Sequence, residues 1–262
     1  MPYADLVNVR LHYEIDGAES GPTLVLSNSI GSDLGMWDAV VPQLAHRFRV
    51  LRYDTRGHGG SSVPPGPYTI HDLGRDVVAL LDSLAIQRCS FCGLSMGGVI
   101  GIWLGLHAPR RIERLVLANT AARIGTREMW NQRIDAVSRN GLASITDLIL
   151  ERWFTPQFRQ HSQTTMERAR QMIAATSAEG YAHCCAALRE ADLRSDLARI
   201  ARPALVIAGE SDPATTPADG SFLAENLPHA QYLELATSHL SAIEDPQGFS
   251  AAVFGCLDAK ET

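Results

Sequence analysis

Three residues of this chain could together activate a nucleophile: Ser95, Asp212 and His239. A serine hydroxyl reacts poorly until a neighbouring base takes its proton, and imidazole suits that role because its ordinary pKa of about 6.5 lies near neutral pH. A carboxylate behind the imidazole holds the correct tautomer and stabilises the imidazolium that forms. The trio therefore predicts an enzyme that attacks a carbonyl carbon through Ser95.

Ser95 lies at the centre of a Gly-x-Ser-x-Gly pattern, from Gly93 to Gly97. The apolar residues 89–94 predict a short buried strand, and residues 96–107 predict a helix that ends before Pro109. A sharp turn between them would expose the hydroxyl and aim the free N–H groups of the helix at it. A glycine-rich turn with an inert serine is the alternative, and it is disfavoured once the two partners are considered.

Asp212 and His239 each follow an apolar segment, at residues 203–209 and 230–235. The carboxyl ends of parallel strands meet at one edge of a sheet, where such sites collect. The order serine, acid, histidine is the one that nucleophile-elbow enzymes use. Glu210 is a competing acid, and Asp212 is favoured because of its shorter side chain and its loop position.

An oxyanion hole needs a second backbone N–H group from the loop after an early strand. Residues 23–27 predict that strand, and residues 28–31 form the loop. We expect the N–H groups of Ile30 and Met96 to bind the oxyanion, each contributing about 3 kcal/mol in the transition state. A plain turn is the alternative for this loop.

The pattern of apolar segments predicts an α/β fold with a mostly parallel central sheet flanked by helices. The first two strands predict an antiparallel hairpin at the sheet edge, and a helix over 247–258 is expected to close the chain. Predicted strands cover residues 4–9, 11–15, 23–27, 48–53, 89–93, 113–118, 203–208 and 231–235, and predicted helices cover residues 36–45, 70–84 and 96–107.

The strand signal is absent between residues 121 and 190, where apolar residues recur at helical spacing. This indicates a helical cap inserted into the core. The predicted organisation is therefore an α/β core of residues 1–120 and 191–262 with a cap of residues 121–190.

Composition excludes several classes of protein. A net charge of −6 and the lack of a basic run argue against a nucleic-acid partner. No apolar run approaches membrane-spanning length, and the first ten residues lack a signal-peptide core. With five cysteines expected as reduced thiols, we predict a cytoplasmic protein. No metal motif is present, and the oligomeric state is left open.

The chain resembles the α/β-hydrolase family over essentially its full length. The resemblance rests on the serine pattern, the later acid and histidine, and the loop Asp54-Thr-Arg-Gly-His-Gly-Gly-Ser61. Within that family it is more similar to the 3-oxoadipate enol-lactonases, through residues 26–37, 93–98 and 239–244. Most relatives carry a His-Gly loop where this chain has Asn28-Ser29.

This resemblance implies hydrolysis of a small anionic enol-lactone to 3-oxoadipate without a cofactor. The substrate carboxylate needs a cation, and arginine binds carboxylates well. The candidates are Arg123, Arg127, Arg133, Arg139, Arg152 and Arg159. Arg133 is favoured because it follows Trp130 by one helical turn, and Trp153 is a further candidate for the pocket wall. A solvated Arg133 and a core-packing Trp153 are the alternatives.

Other activities fit the same trio. A general carboxylesterase, a C–C bond hydrolase and a perhydrolase would use the same three residues, because this fold supports many reactions. A ligand receptor without catalysis is a more distant alternative, disfavoured by the intact trio.

Overall fold

A computed structural model describes residues 2–258 and contains one eight-stranded sheet with the order β1-β2-β4-β3-β5-β6-β7-β8. β1 and β2 are antiparallel to their neighbours, and all later strands are parallel. The predicted fold class is confirmed. The strands are β1 Tyr3–Asp5, β2 Arg10–Asp16, β3 Thr23–Ser27, β4 Arg49–Tyr53, β5 Cys89–Leu94, β6 Ile112–Ala118, β7 Ala204–Gly209 and β8 Ala230–Leu235.

The register of the sheet brings the candidate site residues to one edge. Ser27 at the end of β3 lies opposite Gly93 of β5, so the predicted oxyanion loop starts beside the serine turn. At the other side, Gly209 of β7 lies opposite Leu235 of β8, so the loops with Asp212 and His239 start together. Every residue of β5 and β7 is buried, which is why both strands lack the alternation of apolar and polar residues that a half-exposed strand shows.

Helices cover the sheet and fill the interval between β6 and β7. α2 begins with a capping box between Thr69 and Asp72, and its apolar side faces the core. The helices are α1 Val41–Leu44, α2 Ile70–Ser83, α3 Met96–His107, α4 Arg127–Asn140, α5 Thr146–Trp153, α6 Pro156–His161, α7 Gln163–Ala175, α8 Ala178–Glu190, α9 Pro217–Asn226, α10 Ser241–Glu244 and α11 Pro246–Asp258.

Two predicted elements are wrong in extent. The helix expected over residues 36–45 is a 3₁₀ helix, Leu34–Trp37, followed by the separate short helix α1. Pro42 has no N–H group for the carbonyl of Asp38, so a continuous helix would lack that bond. The strand expected over residues 4–9 ends at Asp5, because the chain turns there with the Leu6 amide donating to the Val9 carbonyl.

The segment that we term the cap, residues 121–190, contains α4 to α8 and a 3₁₀ helix, Leu142–Ile145. The division of the chain into a core and a separate cap stays a prediction. Residues 1 and 259–262, which were assigned to the core, lie outside the described residues. Across residues 2–258, none of the helices has the length and apolar character needed to cross a bilayer.

Candidate active site

Ser95 occupies a strained turn between β5 and α3. Its φ of +59° and ψ of −115° lie outside the regions that most residues adopt. The surroundings hold this conformation, because the Ser95 amide donates to the Ala118 carbonyl at 2.9 Å. The Ser95 carbonyl in turn accepts the Thr120 hydroxyl at 2.7 Å.

Small residues permit the close packing of this turn. A Cβ at Gly93 would overlap the backbone of Gly97, and a Cβ at Gly97 would overlap the backbone of Ser27. Both positions therefore need glycine for close approach of the backbone. The end of β3, β5 and the start of α3 therefore pack closely at this point.

His239 and Asp212 form a buried pair. The Nδ1–H group of His239 donates to Asp212 Oδ2 at 2.8 Å. This bond leaves Nε2 as the acceptor on the other side of the ring, which is the tautomer that a general base needs. Glu210, the competing acid, is exposed to solvent. No hydrogen bond joins Ser95 Oγ to His239 within residues 2–258, and such bonds are often long when no substrate is bound.

The environment of Asp212 favours its charged form. Burial alone would raise the pKa of this carboxyl, but the contacts with His239 and with two backbone amides outweigh burial and hold the pKa below its usual value. These amides belong to Ala214 and Thr215, at 2.8 and 3.1 Å from Oδ1. A permanent anion beside the imidazole stabilises the imidazolium in the transition state.

Asn119 contacts both Asp212 and the loop of His239, although no sequence motif around Asn119 would single it out. It follows β6, has a φ of +45°, and is buried. Its Nδ2 donates to Asp212 Oδ2 at 3.2 Å and to the Ser238 carbonyl at 3.0 Å. One amide therefore contacts both Asp212 and the loop that carries His239.

The loop after β3 is held in place from two sides. The Gly97 amide donates to the Asn28 carbonyl at 3.1 Å, which joins the loop to α3. The Gly31 amide donates to His58 Nε2 at 3.0 Å. Burial lowers the pKa of His58 to about 4, so its ring is neutral and can accept this bond. Ile30 lies between the two attachment points, and Ser29 and Ile30 line the site cavity.

Ser95 and His239 face a cavity between the core and the cap. The core contributes Ser29, Ile30, Ser95, Ala214 and His239. The cap contributes Ile124, Met129, Trp130, Arg133, Ile149, Arg152, Trp153 and Tyr181. An apolar wall with a few polar groups is typical of a small-molecule site.

Arg133 lines this cavity and belongs to α4. Its guanidinium is 5.5 Å from the ring centroid of Trp130 and donates to the Tyr181 hydroxyl at 3.2 Å. It makes no ion pair with any of the described carboxylates. The cavity therefore contains a cation without a counter-charge.

Six of the predicted site residues line the cavity: Ser95, His239, Ile30, Arg133, Trp130 and Trp153. Asp212 lies behind His239, and Met96 is buried at the start of α3. Their catalytic and binding roles stay predictions. Sequence reasoning missed Asn119 and Tyr181, and it left Arg152 among several equal candidates.

No metal centre is formed by the residues that the structure describes. Within positions 2–258, no three His, Cys, Asp or Glu side chains are grouped in a way that could hold a metal ion. Catalysis without a cofactor stays a prediction.

Comparison with known proteins agrees with this geometry. A family model described as the alpha/beta hydrolase fold matches residues 22–246. The chain is 48% identical over 246 residues to 3-oxoadipate enol-lactonase 2 of Acinetobacter baylyi, covering 94% of this chain and 92% of that protein. It is 43% identical to 3-oxoadipate enol-lactonase 1 of the same organism, covering 91% and 90%.

A solved structure, the enol-lactonase from Burkholderia xenovorans LB400, superimposes with a TM-score of 0.97 at 46% identity. The match covers 98% of this chain and 100% of that one. The similarity therefore includes the cap as well as the sheet. On the fold, the family match and these relatives, the chain belongs to the α/β-hydrolase family.

Proposed function

We propose that this protein is a 3-oxoadipate enol-lactonase, which opens a five-membered enol-lactone bearing an acetate arm to give 3-oxoadipate in aromatic catabolism. The observation that carries the proposal is a cavity lined by Ser95 and His239 on one side and by an arginine without a counter-charge on the other. A small anionic ester needs both features. Two curated relatives with this activity, at 48% and 43% identity, support the same substrate.

The first half of the proposed reaction forms an acyl-enzyme. Ser95 Oγ attacks the lactone carbonyl carbon while its proton passes to His239 Nε2. Asp212 accepts the Nδ1–H bond at 2.8 Å and balances the imidazolium charge. The oxyanion takes hydrogen bonds from the Ile30 and Met96 amides, both of which lack another acceptor among the described residues.

Ring opening then separates the two oxygens of the ester. The bond between the carbonyl carbon and the ring oxygen breaks, and the electron pair stays on that oxygen as an enolate. His239 returns its proton to this fragment, which becomes the ketone of the product. Water next attacks the acyl carbon with His239 as base, and Ser95 is released.

The acetate carboxylate of the substrate is assigned to Arg133. A carboxylate that enters an apolar pocket loses hydration, so it needs a paired cation. The Trp130 ring and the Tyr181 hydroxyl restrict the guanidinium to one region of the cavity. Trp130 and Trp153 would then contact the faces of the lactone ring.

We also propose a cytoplasmic location. All five cysteines, at positions 89, 92, 184, 185 and 256, are free and buried. Thiols of this kind are usual in a reducing compartment.

The proposal is tested by following the loss of ultraviolet absorbance of freshly generated 3-oxoadipate enol-lactone with purified protein. We expect rapid loss with the parent protein and a decrease of roughly a thousandfold or more in Ser95→Ala. Loss of lactone that is equal in the variant would contradict the Ser95 mechanism. Turnover of simple aryl esters without turnover of this lactone would instead support the general esterase alternative.

A further inference from the structure

The cap arginines differ in whether they have acidic partners. The cap has nine arginines, and all but Arg133 and Arg152 form ion pairs with carboxylates of the described residues. The paired ones are Arg123, Arg127, Arg139, Arg159, Arg168, Arg170 and Arg189. The two exceptions both line the cavity that contains Ser95. Two cations without counter-charges therefore meet at the candidate active site.

Arg152 is attached to the segment that carries the base. Its carbonyl accepts the Ser238 hydroxyl at 2.9 Å. The carbonyl of the next residue, Trp153, accepts the Leu240 amide at 3.0 Å. Ser238 and Leu240 flank His239 on both sides. The backbone of Arg152 is thus held beside the catalytic histidine, whereas Arg133 projects from a different helix, α4.

The two guanidinium groups influence each other. Burial lowers the pKa of Arg152, and the positive charge of Arg133 lowers it further. Like charges that share a partly desolvated cavity destabilise each other until an anion enters. The single carboxylate of the proposed substrate balances only one of them, so one cation is left over in the ground state.

Ring opening creates the second anion. In a lactone of this kind, one ring carbon carries both the ring oxygen and the acetate arm. When the acyl–oxygen bond breaks, negative charge develops on the ring oxygen while the arm keeps its carboxylate. The leaving fragment then presents two anionic groups close together, and a charge that appears during the reaction is what a preorganised cation stabilises best.

We infer that Arg152 is a catalytic residue that binds the ring oxygen of the enol-lactone as it departs, while Arg133 binds the carboxylate of the acetate arm. This inference rests on the proposed function. The backbone of Arg152 is held beside His239, and His239 Nε2 delivers a proton to the leaving fragment. Arg152 is therefore well placed to bind the leaving oxygen of that fragment. Arg152 stabilises the enolate until that proton arrives, and His239 is then neutral and ready to activate water.

A pair of lactones separates the two roles. One is 3-oxoadipate enol-lactone, and the other is α-angelica lactone, a neutral enol-lactone with a methyl group in place of the acetate arm. We expect Arg152→Met to lower kcat for both lactones by on the order of a hundredfold, with KM changed by less than about threefold. Arg152→Lys keeps the charge and should recover part of the loss. Arg139→Met, at an exposed cap arginine paired with Asp135, is the matched control and should behave like the parent.

A series of aryl acetates gives a second readout, since the pKa of the leaving phenol can be varied. Arg152→Met should make the rate depend more steeply on that pKa than in the parent protein. Melting temperatures of all variants establish that they fold. If Arg152→Met misfolds, Arg152→Gln, which also removes the charge, replaces it in both experiments.

Three results distinguish the inference from the proposed function. An effect of Arg152→Met that is confined to KM for the carboxylate-bearing lactone would overturn the inference and make Arg152 a second carboxylate ligand. Unchanged kcat for the neutral lactone would also overturn it. Failure of the parent protein to open 3-oxoadipate enol-lactone would defeat the proposed function, while its variants on α-angelica lactone would still test Arg152.

Discussion

Asn119 Nδ2 lies 3.2 Å from Asp212 Oδ2 and also donates to the carbonyl of Ser238, the residue before His239. We expect Asn119→Gly to lower kcat about tenfold and to change KM little, because the acid and the base lose a shared hydrogen-bond partner. Glycine tolerates the φ of +45° at this position, so the change adds no backbone strain. Steady-state kinetics on the enol-lactone measures the effect.

The control for this prediction is Ser241→Ala. The Ser241 hydroxyl donates to Asn119 Oδ1 at 2.5 Å, on the side of the amide away from Asp212. Its removal should lower the melting temperature but keep kcat within about twofold of the parent. Equal losses of kcat in both variants would mean that Asn119 acts only through stability.

Asp212→Asn should abolish most of the activity. An amide in place of the carboxylate favours the wrong imidazole tautomer, and the expected decrease in kcat is about 10⁴-fold. Glu210→Gln, at the exposed competing acid, should leave kcat within about twofold. A larger loss in Glu210→Gln than in Asp212→Asn would show that the acid was assigned to the wrong residue.

Arg133→Ala should raise KM for 3-oxoadipate enol-lactone by tenfold or more, since a charge-assisted bond to the carboxylate contributes about 1.5–3 kcal/mol. A neutral aryl ester should show a much smaller change. Initial-rate kinetics on both substrates makes the comparison. Equal increases in KM for the two substrates would rule out a carboxylate-binding role for Arg133.

His58 should make the protein less stable in acid. Its pKa is lowered by burial to about 4 in the folded state, against about 6.5 when unfolded. The neutral ring therefore contributes stability above pH 6.5, and this contribution is lost as the pH falls from 6.5 towards 4. The expected loss from pH 7.5 to pH 5 is about 2 kcal/mol in the free energy of unfolding.

Urea unfolding of His58→Gln at the two pH values tests this expectation. The variant should be less stable at pH 7.5, because the Gly31 amide loses its acceptor, but it should lose less stability on acidification. His46→Gln, at an exposed histidine, should retain the parent pH dependence. The same slope in parent and His58→Gln would contradict a role for His58 in acid sensitivity.

Gly180→Ala should weaken the contact between cap and core. A Cβ at Gly180 would overlap the backbone of Gly57, whose φ of +77° also needs glycine. The free energy of unfolding should fall by about 2 kcal/mol or more, as for other overpacked sites. Gly255→Ala is the control: its Cβ meets nothing within 4 Å in α11, so it should stabilise by up to about 1 kcal/mol.

Local patterns predicted the parts of the site that depend on local geometry. The Gly-x-Ser-x-Gly turn could be read directly, because a strand, a tight turn and a helix leave few conformations for Ser95. The prediction of one helix over residues 36–45 was wrong, and the reason is also local. The prediction followed the spacing of the apolar residues, which takes no account of the missing N–H group of Pro42.

The contacts that select residues within the site were not predictable in the same way. The spacing from Trp130 favoured Arg133, but it could not show which arginines have acidic partners. Arg127 meets Glu190, 63 positions away, whereas Arg133 meets none of the described carboxylates. In the sequence, Asn119 is simply a residue that follows a strand. Its role becomes visible only in the fold, which brings Asp212, 93 positions later, within hydrogen-bond distance. Such pairings depend on how distant elements pack.

The sequence by itself determined the parallel sheet, the nucleophile turn and the order of Ser95, Asp212 and His239, because strand periodicity and turn geometry are set by neighbouring residues. Only the tertiary structure decided which cap arginines line the cavity without a carboxylate partner among the described residues. Every arginine carries the same charge, and its availability depends on whether folding brings a carboxylate within reach. Arg133 and Arg152 are the two for which folding brings none among residues 2–258.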